Sequence, residues 1–308
     1  MQDWIDDFLH YLRATKGASE RTVSTYEDSL IKATEYFVAQ AGRVPTWTEL
    51  VLDDFRAWEA EQMGRGYSPA YVKKNMAALR SFYRYLLREG RVQVDPVRLV
   101  KNPKLQKRLP TFIRENEMDR LFEYYDFGEG YEGSRNHMIL LLLYHTGIRA
   151  SELLGLNAGD VDLDNFSLRV TGKGNKQRII PFGEELHSAL ILYIEECRKY
   201  LANEENGVSS FSQSTPLFLN SQKRRLAYNP LRVIVNEALS AVTTQKKRSP
   251  HVLRHSFATA MLAHGAQLEA IQQLLGHESV ATTAIYTHTT LAELKEQYSQ
   301  AHPRNTEK

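Results

Sequence analysis

Between residues 251 and 286 the chain carries His251 and His277 among its histidines, an arginine, Arg254, and a tyrosine, Tyr286. Together they form a rational device for attacking a phosphodiester. A guanidinium makes paired hydrogen bonds to non-bridging oxygens, histidines donate or shuttle protons, and a phenol is the nucleophile. A phenol titrates near pH ~10, so it attacks only when its proton is taken and neighbouring cations stabilise the phenolate. Upstream residues fit the same chemistry. Arg149 follows an apolar run closed by Gly147, and an arginine so near a buried helix end needs a partner. Glu152, three residues on, either simply pairs with it or orients it toward a phosphate. Lys173, in TGKGNKQR, is an exposed turn lysine or a mobile one that enters a DNA groove and protonates a leaving group.

Each residue also has a plainer reading. His277 in LLGHES could cap or pack a helix end, and Tyr286 is one of 16 tyrosines. A metal site built from His251 and His255 with His277 or His288 is disfavoured, because Arg254 between the first two would repel a dication and HExxH is absent. What lifts the set is its coherence: two arginines, a lysine, two histidines and a tyrosine, without a carboxylate-rich metal site.

The elements that must position these groups are mostly helical. At 308 residues the chain has room for two domains. Trp4, Ile5, Phe8, Leu9 and Leu12 recur at helical spacing, and Ser19 opens a second helix. Pro45 and Thr46 mark the next start, and Ser68-Pro69 begins a fourth helix. In that helix Val72, Met76, Leu79, Tyr83 and Leu86 make one stripe, while Lys73, Arg80, Arg84 and Arg88 make another. The whole chain is nearly neutral, with 39 basic against 37 acidic side chains, but the distribution is uneven. Residues 1–67 hold 7 basic and 12 acidic side chains; residues 68–108 hold 11 and 2. A merely solvated face mixes signs, so this one-signed run points to DNA-backbone contact.

Residues 91–110 contain Pro96, Pro103 and Pro110 and read as a basic linker, with Lys104 and Lys107 seeking phosphate and a domain boundary near residue 107. Beyond it, a helix over 114–125 precedes RNHMILLLLYHTG, which is apolar on too many faces for a surface helix. VDLDNFSLRVTGKGNKQRIIPF alternates around a Gly-Lys-Gly turn, as a β-hairpin with a basic tip does. Helices return over 183–202 and 229–242, and a short one closes the chain near 291–301. The fold class expected is mainly α: an N-terminal helical domain over 1–90, the linker over 91–110, and an α+β domain over 111–308.

Cys197 stands alone, which excludes an internal disulfide framework, and it reads as a small core residue. The N-terminus lacks signal-peptide features, and MILLLLY at 138–144 falls far short of the about 20 residues that cross a bilayer. A soluble, cytoplasmic protein without membrane contact is the expectation.

HTGIRASELLGL, TGKGNKQRIIPF, HVLRHSFATAMLAHG and LLGHESVATTAIYTH together resemble the tyrosine recombinase (phage integrase) family, over essentially the whole chain. The ending AHPR is similar to that of its Xer subgroup. The resemblance implies a SAM-like core-binding domain followed by the family's catalytic domain. It implies that Arg149 and Arg254 bind the phosphate, Lys173 is the general acid, His251 and His277 assist, Glu152 supports Arg149, and Tyr286 is the nucleophile. Tyr286 would form a 3′-phosphotyrosyl link with a free 5′-hydroxyl, needing neither ATP nor metal. Two rounds of exchange would pass through a Holliday junction in a tetramer, of one recombinase or of two, on a double-stranded recombination site. The C-terminal helix, with Leu291, Leu294 and Tyr298, would contact a neighbouring subunit, or else fold back on its own domain. No arm-binding domain precedes Trp4, which favours chromosome-dimer resolution in cell division, with a septal DNA translocase as a further partner, over mobile-element integration. Two alternatives use less of the pattern: relaxation of a single duplex by a type IB topoisomerase, and DNA binding without catalysis.

Overall fold

The structure is a computed structural model that describes residues 1–103, 111–202, 211–276 and 291–304. It divides into two compact units, Met1–Arg108 and Leu109–Lys308.

The first unit contains α1 (Gln2–Ala14), α2 (Glu20–Ala41), α3 (Leu52–Gly64) and α4 (Pro69–Arg88). The Ser19 hydroxyl accepts the Thr22 N–H and the Ser68 hydroxyl accepts the Tyr71 N–H, the capping each was expected to supply. The α4 stripe of Val72, Met76, Leu79, Tyr83 and Leu86 is fully buried, against Phe8, Phe37, Trp47 and Phe55. Two expectations need correction. Pro45 and Thr46 precede a turn over 47–49, and the third helix starts at Leu52, where Asp54 accepts the Val51 N–H. Nor is the segment after α4 a free linker over its described part. Val92, Val97 and Val100 are buried in the first core, and Asp95 accepts the Val97 and Arg98 N–H groups. Its prolines stop a helix, but valines spaced among them still anchor the chain. Lys104 and Lys107 lie outside the described residues.

The second unit is built around α6 (Gly130–Thr146), which follows α5 (Glu115–Tyr124). Met138 through Tyr144 are at most 1% exposed, so this helix is core on every face. It ends at Gly147, whose φ of 59° is left-handed. A side chain there would also collide with Phe257, 2.4 Å from an added Cβ. The helices α7 (Ala150–Gly155), α8 (Glu184–Ala202) and α10 (Pro250–Ala263) pack on α6, and α9 (Tyr228–Val242) packs on α5 and α7. The expected hairpin is present with a third short strand: β1 (Val161–Asp162), β2 (Ser167–Thr171) and β3 (Gln177–Pro181) run antiparallel in that order. Arg178 on β3 pairs with Val170 on β2, and Gly172 N–H to Lys176 C=O closes the tip. Cys197 is buried, which pushes its thiol up to about 11.

Two helices complete the unit, α11 (Leu268–Leu275) and α12 (Leu291–Ala301). In this single chain α12 packs on α10, α11 and β3 of its own domain. Tyr298 is 2% exposed, and the following His302 is fully buried, stacked 4.8 Å from the Tyr298 ring and 4.5 Å from that of His145. Arg304 pairs with Glu185 and with Asp119. Leu294 and Tyr298 of the expected stripe thus pack against the core of their own domain. No helix among the described residues is long and apolar enough to cross a membrane.

Candidate active site

Glu152 is the third residue of α7, and its carboxylate reaches back to the Arg149 N–H at 2.8 Å, the acidic half of a helix-capping exchange. The same carboxylate accepts Arg149 Nη1 at 2.8 Å, Arg178 Nη1 at 2.8 Å and Arg178 Nη2 at 2.9 Å. Four donors occupy its roughly four lone-pair directions. Burial pushes the carboxyl up, but the two guanidiniums and the Arg149 N–H outweigh it and hold it down at about 2. A saturated, permanently ionised carboxylate is no proton acceptor; it is a fixed anion that orients arginines. The Arg149–Glu152 pair is made, and Arg149 remains partly exposed while Glu152 is buried.

Arg254 lies one turn inside α10, which Ser249 and Pro250 open. His251 and Arg254 are one helical turn apart, yet His251 is exposed and Arg254 only 7% exposed. Arg254 donates Nη1 to the Gly147 carbonyl at 2.7 Å and Nη2 to the Leu275 carbonyl at 2.6 Å. Burial, and then the Arg149 cation, pull it down to about 10, still protonated near neutral pH.

Three arginines converge on the end of α11. Arg178 Nε donates to the Leu274 carbonyl at 2.8 Å, Arg254 to Leu275, and Arg149 Nη2 to Gly276 at 3.0 Å. The last carbonyls of a helix lack partners within it and carry its negative dipole end, so guanidiniums are suited to them. Gly276 closes the helix in a left-handed turn, φ 61°, and a side chain there would press on Arg178, whose Nη1 is 3.0 Å from an added Cβ. Distant segments are thereby drawn together: Arg149 after α6, Arg178 on β3, Arg254 on α10, and the residue just before His277.

Among these four ionised groups the balance is three cations to one anion, a surplus of two positive charges in a largely buried setting. A phosphodiester brings one negative charge and its five-coordinate transition state two. Such a cluster therefore favours the transition state over the ground state.

The expected residues sort as follows. Arg149, Glu152 and Arg254 are brought together, and His251 sits on the same helix as Arg254. The Lys173 backbone lies at the hairpin tip, next to Gly172, where an added Cβ would sit 3.4 Å from Glu152 Oε1. His277 and Tyr286 fall outside the described residues. Arg178 was missed. Its signal was the strand alternation: it shares a face with buried Ile180 while Gln177 and Ile179 point outward, and an arginine on an inward face needs a buried acid.

On the first unit, Lys73, Arg84 and Arg88 are exposed and Arg80 half-buried. Arg80 binds the Asn102 side chain at 2.6 Å and the Val100 carbonyl at 2.7 Å. Arg88 pairs with Glu89 at 2.8 Å and lies 4.0 Å over the Tyr11 ring.

Residues 111–293 match the phage integrase family, and residues 5–90 its N-terminal SAM-like domain. A tyrosine recombinase XerC of Pelotomaculum thermopropionicum is 39% identical over 305 residues, covering 97% of this chain and 98% of its own. A tyrosine recombinase XerD of Oceanobacillus iheyensis is 35% identical over 300 residues, covering 97% and 98%. Among solved structures, the XerH site-specific recombinase bound to difH substrate in a pre-cleavage complex shares the fold, with a TM-score of 0.70 at 22% identity over 96% of this chain and 94% of that one. The arginine cluster, the two-part architecture and the near full-length similarity lead to one conclusion: this chain belongs to the phage integrase family, the tyrosine recombinases.

Proposed function

We propose that the chain is a site-specific DNA recombinase that cleaves and rejoins strands through a 3′-phosphotyrosyl intermediate. The observation that carries this reading is the surplus of two positive charges where Arg149 and Arg178 pair with the single carboxylate of Glu152 and Arg254, bonded to the Gly147 and Leu275 carbonyls, adds a third cation. Arg149 and Arg254 bind the scissile phosphate, with Glu152 holding the first. Tyr286 gives its proton to the histidine pair His251 and His277, and its oxygen attacks phosphorus. The P–O5′ bond breaks, and Lys173 protonates the departing oxygen to a 5′-hydroxyl. The new P–O bond to tyrosine conserves the diester's energy, so the 5′-hydroxyl of a partner duplex reverses the step without ATP. Lys73, Arg84 and Arg88 on α4, with Arg80 and the basic Lys104 and Lys107, contact the DNA backbone.

The relatives named XerC and XerD support a cytoplasmic role in resolving chromosome dimers, through a Holliday junction held in a tetramer. That tetramer contains either this chain alone or this chain with a second recombinase, and a septal DNA translocase activates it. On assembly α12 leaves its own domain for a neighbour's.

DNA trapped covalently on the chain in cells and sequenced gives the site, and a nicked duplex carrying that site then serves as a suicide substrate. The parent chain is expected to form a 3′-linked adduct, and Tyr286→Phe to bind the duplex yet form none. An adduct with Tyr286→Phe would remove the nucleophile assignment. Supercoil relaxation without a site would favour a topoisomerase, and binding without adduct a non-catalytic protein.

A further inference from the structure

In the scheme above Arg178 contributes charge but touches no substrate atom, yet it is one of the most heavily bonded side chains in the site. It spends three N–H groups on protein: two on Glu152 and one on the Leu274 carbonyl. It is not needed to hold Arg149, which keeps its own bonds from Nη1 and backbone N–H to Glu152 and from Nη2 to Gly276. What it ties to the site is the hairpin, whose inward residues Leu168, Val170 and Ile180 join the core while its tip carries exposed Gly174 and Asn175. Arg178 is the second residue of β3, and a bond from the Gly172 N–H to the Lys176 carbonyl closes the tip. The root of the tip rests against the same carboxylate, since a Cβ added to Gly172 would lie 3.4 Å from Glu152 Oε1 and 3.8 Å from Arg178 Nη1. The residue after Gly172 is Lys173.

We propose that Arg178 is a positioning residue for the general acid: by clamping the hairpin root to Glu152 and to the end of α11, it sets where Lys173 meets the leaving oxygen. This rests on the recombinase reading and deepens it. Arg178 is only 16% exposed on its side chain, and its fork is taken up by Glu152, so it is not itself a phosphate ligand. Lysine cannot replace it. A single ammonium cannot donate in parallel to both carboxylate oxygens while also reaching the Leu274 carbonyl.

The test uses the full chain on the nicked duplex described above, with either oxygen or sulfur at the bridging 5′ position of the scissile phosphate. A thiolate leaves without a proton, so sulfur removes the need for an acid. A positioned general acid contributes about 100-fold or more. Arg178→Ala and Arg178→Lys are therefore expected to bind the duplex within about threefold of the parent. On oxygen they should form adduct about 30- to 100-fold more slowly, and on sulfur recover at least about tenfold relative to the parent's own ratio. Adduct rates on oxygen within about threefold of the parent for both variants would overturn the proposal. So would an equal loss on both leaving groups, because Arg178 would then act on the phosphate or on the fold rather than on the acid. A parent chain that forms no adduct on either duplex would remove the recombinase reading itself, and the proposal with it.

Discussion

The basic face of α4 and the arginine cluster of the second unit are both rich in cations, and they are built in opposite ways. On α4 the charges stand in water, and several are answered locally: Arg88 by Glu89 and the Tyr11 ring, Arg80 by Asn102 and the Val100 carbonyl. In the cluster, Arg254 is buried and Arg178 largely so, the charge of these two and Arg149 is set against one saturated carboxylate and three helix-end carbonyls, and a surplus remains. An exposed cation meeting phosphate works at high dielectric and is screened beyond about 10 Å, so each contributes little and roughly equally. A buried cation works at low dielectric against charge that develops during reaction, so few residues carry most of the effect. Charge density along a sequence does not distinguish the two; burial does.

The difference can be broken most sharply at Arg254. Replacing it with alanine is expected to slow adduct formation at least about 1000-fold on the suicide duplex, with DNA binding little changed. It also leaves the Gly147 and Leu275 carbonyls without a donor, a cost of about 1–3 kcal/mol in stability that urea unfolding would register. A loss of activity below about tenfold would put the decisive charge elsewhere.

Glu152 gives the next largest effect, and here pH supplies the control. Its folded pKa of about 2 lies below its ordinary 4.5, so the carboxylate stabilises the fold above pH 4.5 and loses that contribution as pH falls toward 2. Glu152→Gln should therefore cost on the order of 3 kcal/mol at pH 7, and the gap to the parent should narrow as pH drops below 4.5. Urea midpoints of the two proteins across pH 3–7 would check it; a gap independent of pH would mean the carboxylate's charge is not what matters.

A second ionic site in the same unit, where two carboxylates meet one guanidinium, sharpens the contrast. Beside α12, Arg304 answers Glu185, while burial holds the rings of His145 and His302 below their ordinary value. His264 and Tyr144 also face this site. Depressed imidazoles stabilise the docked tail above pH ~6.5 and stop doing so as pH falls below it. Amide exchange over residues 298–304 should be slow at pH 7.5 and faster, after correction for intrinsic rates, at pH 5.5; unchanged protection would mean that these rings do not hold the tail.

The smallest effects are expected on α4. Lys73→Ala or Arg84→Ala should weaken DNA binding about two- to fivefold and lower the slope of log affinity against log salt by about one each. Arg88→Ala should do less, because Glu89 already offsets its charge. Adduct rates at saturation should not change.

Much of this was legible in the sequence, for identifiable reasons. Helices with strong periodicity and explicit caps, such as α2 behind Ser19 and α4 behind Ser68-Pro69, were readable because local chemistry decides them. So was the hairpin, from alternation around TGKGNKQR. The start of α3 was misplaced because Pro45 signals a turn as readily as a helix, and 91–103 looked like a linker because prolines were weighed above the buried valines between them. In the site, Arg149 and Glu152 are neighbours in sequence and could be paired by spacing. Arg178 could not, since its partners Glu152 and Leu274 lie 26 and 96 positions away. The convergence of three arginines on one helix end is a tertiary fact with no local signature.

The claim at the centre is that the cluster's surplus charge compensates the scissile phosphate. Its most direct measurement compares parent and Arg149→Ala on two suicide duplexes, one with the natural phosphodiester and one with a neutral methylphosphonate at the cleavage position. Arg149 is partly exposed, so its removal should leave the fold intact. The expected result is a loss of about 1000-fold on the phosphodiester and of no more than about tenfold on the methylphosphonate, which has no charge to compensate. An equal loss on both would contradict the account.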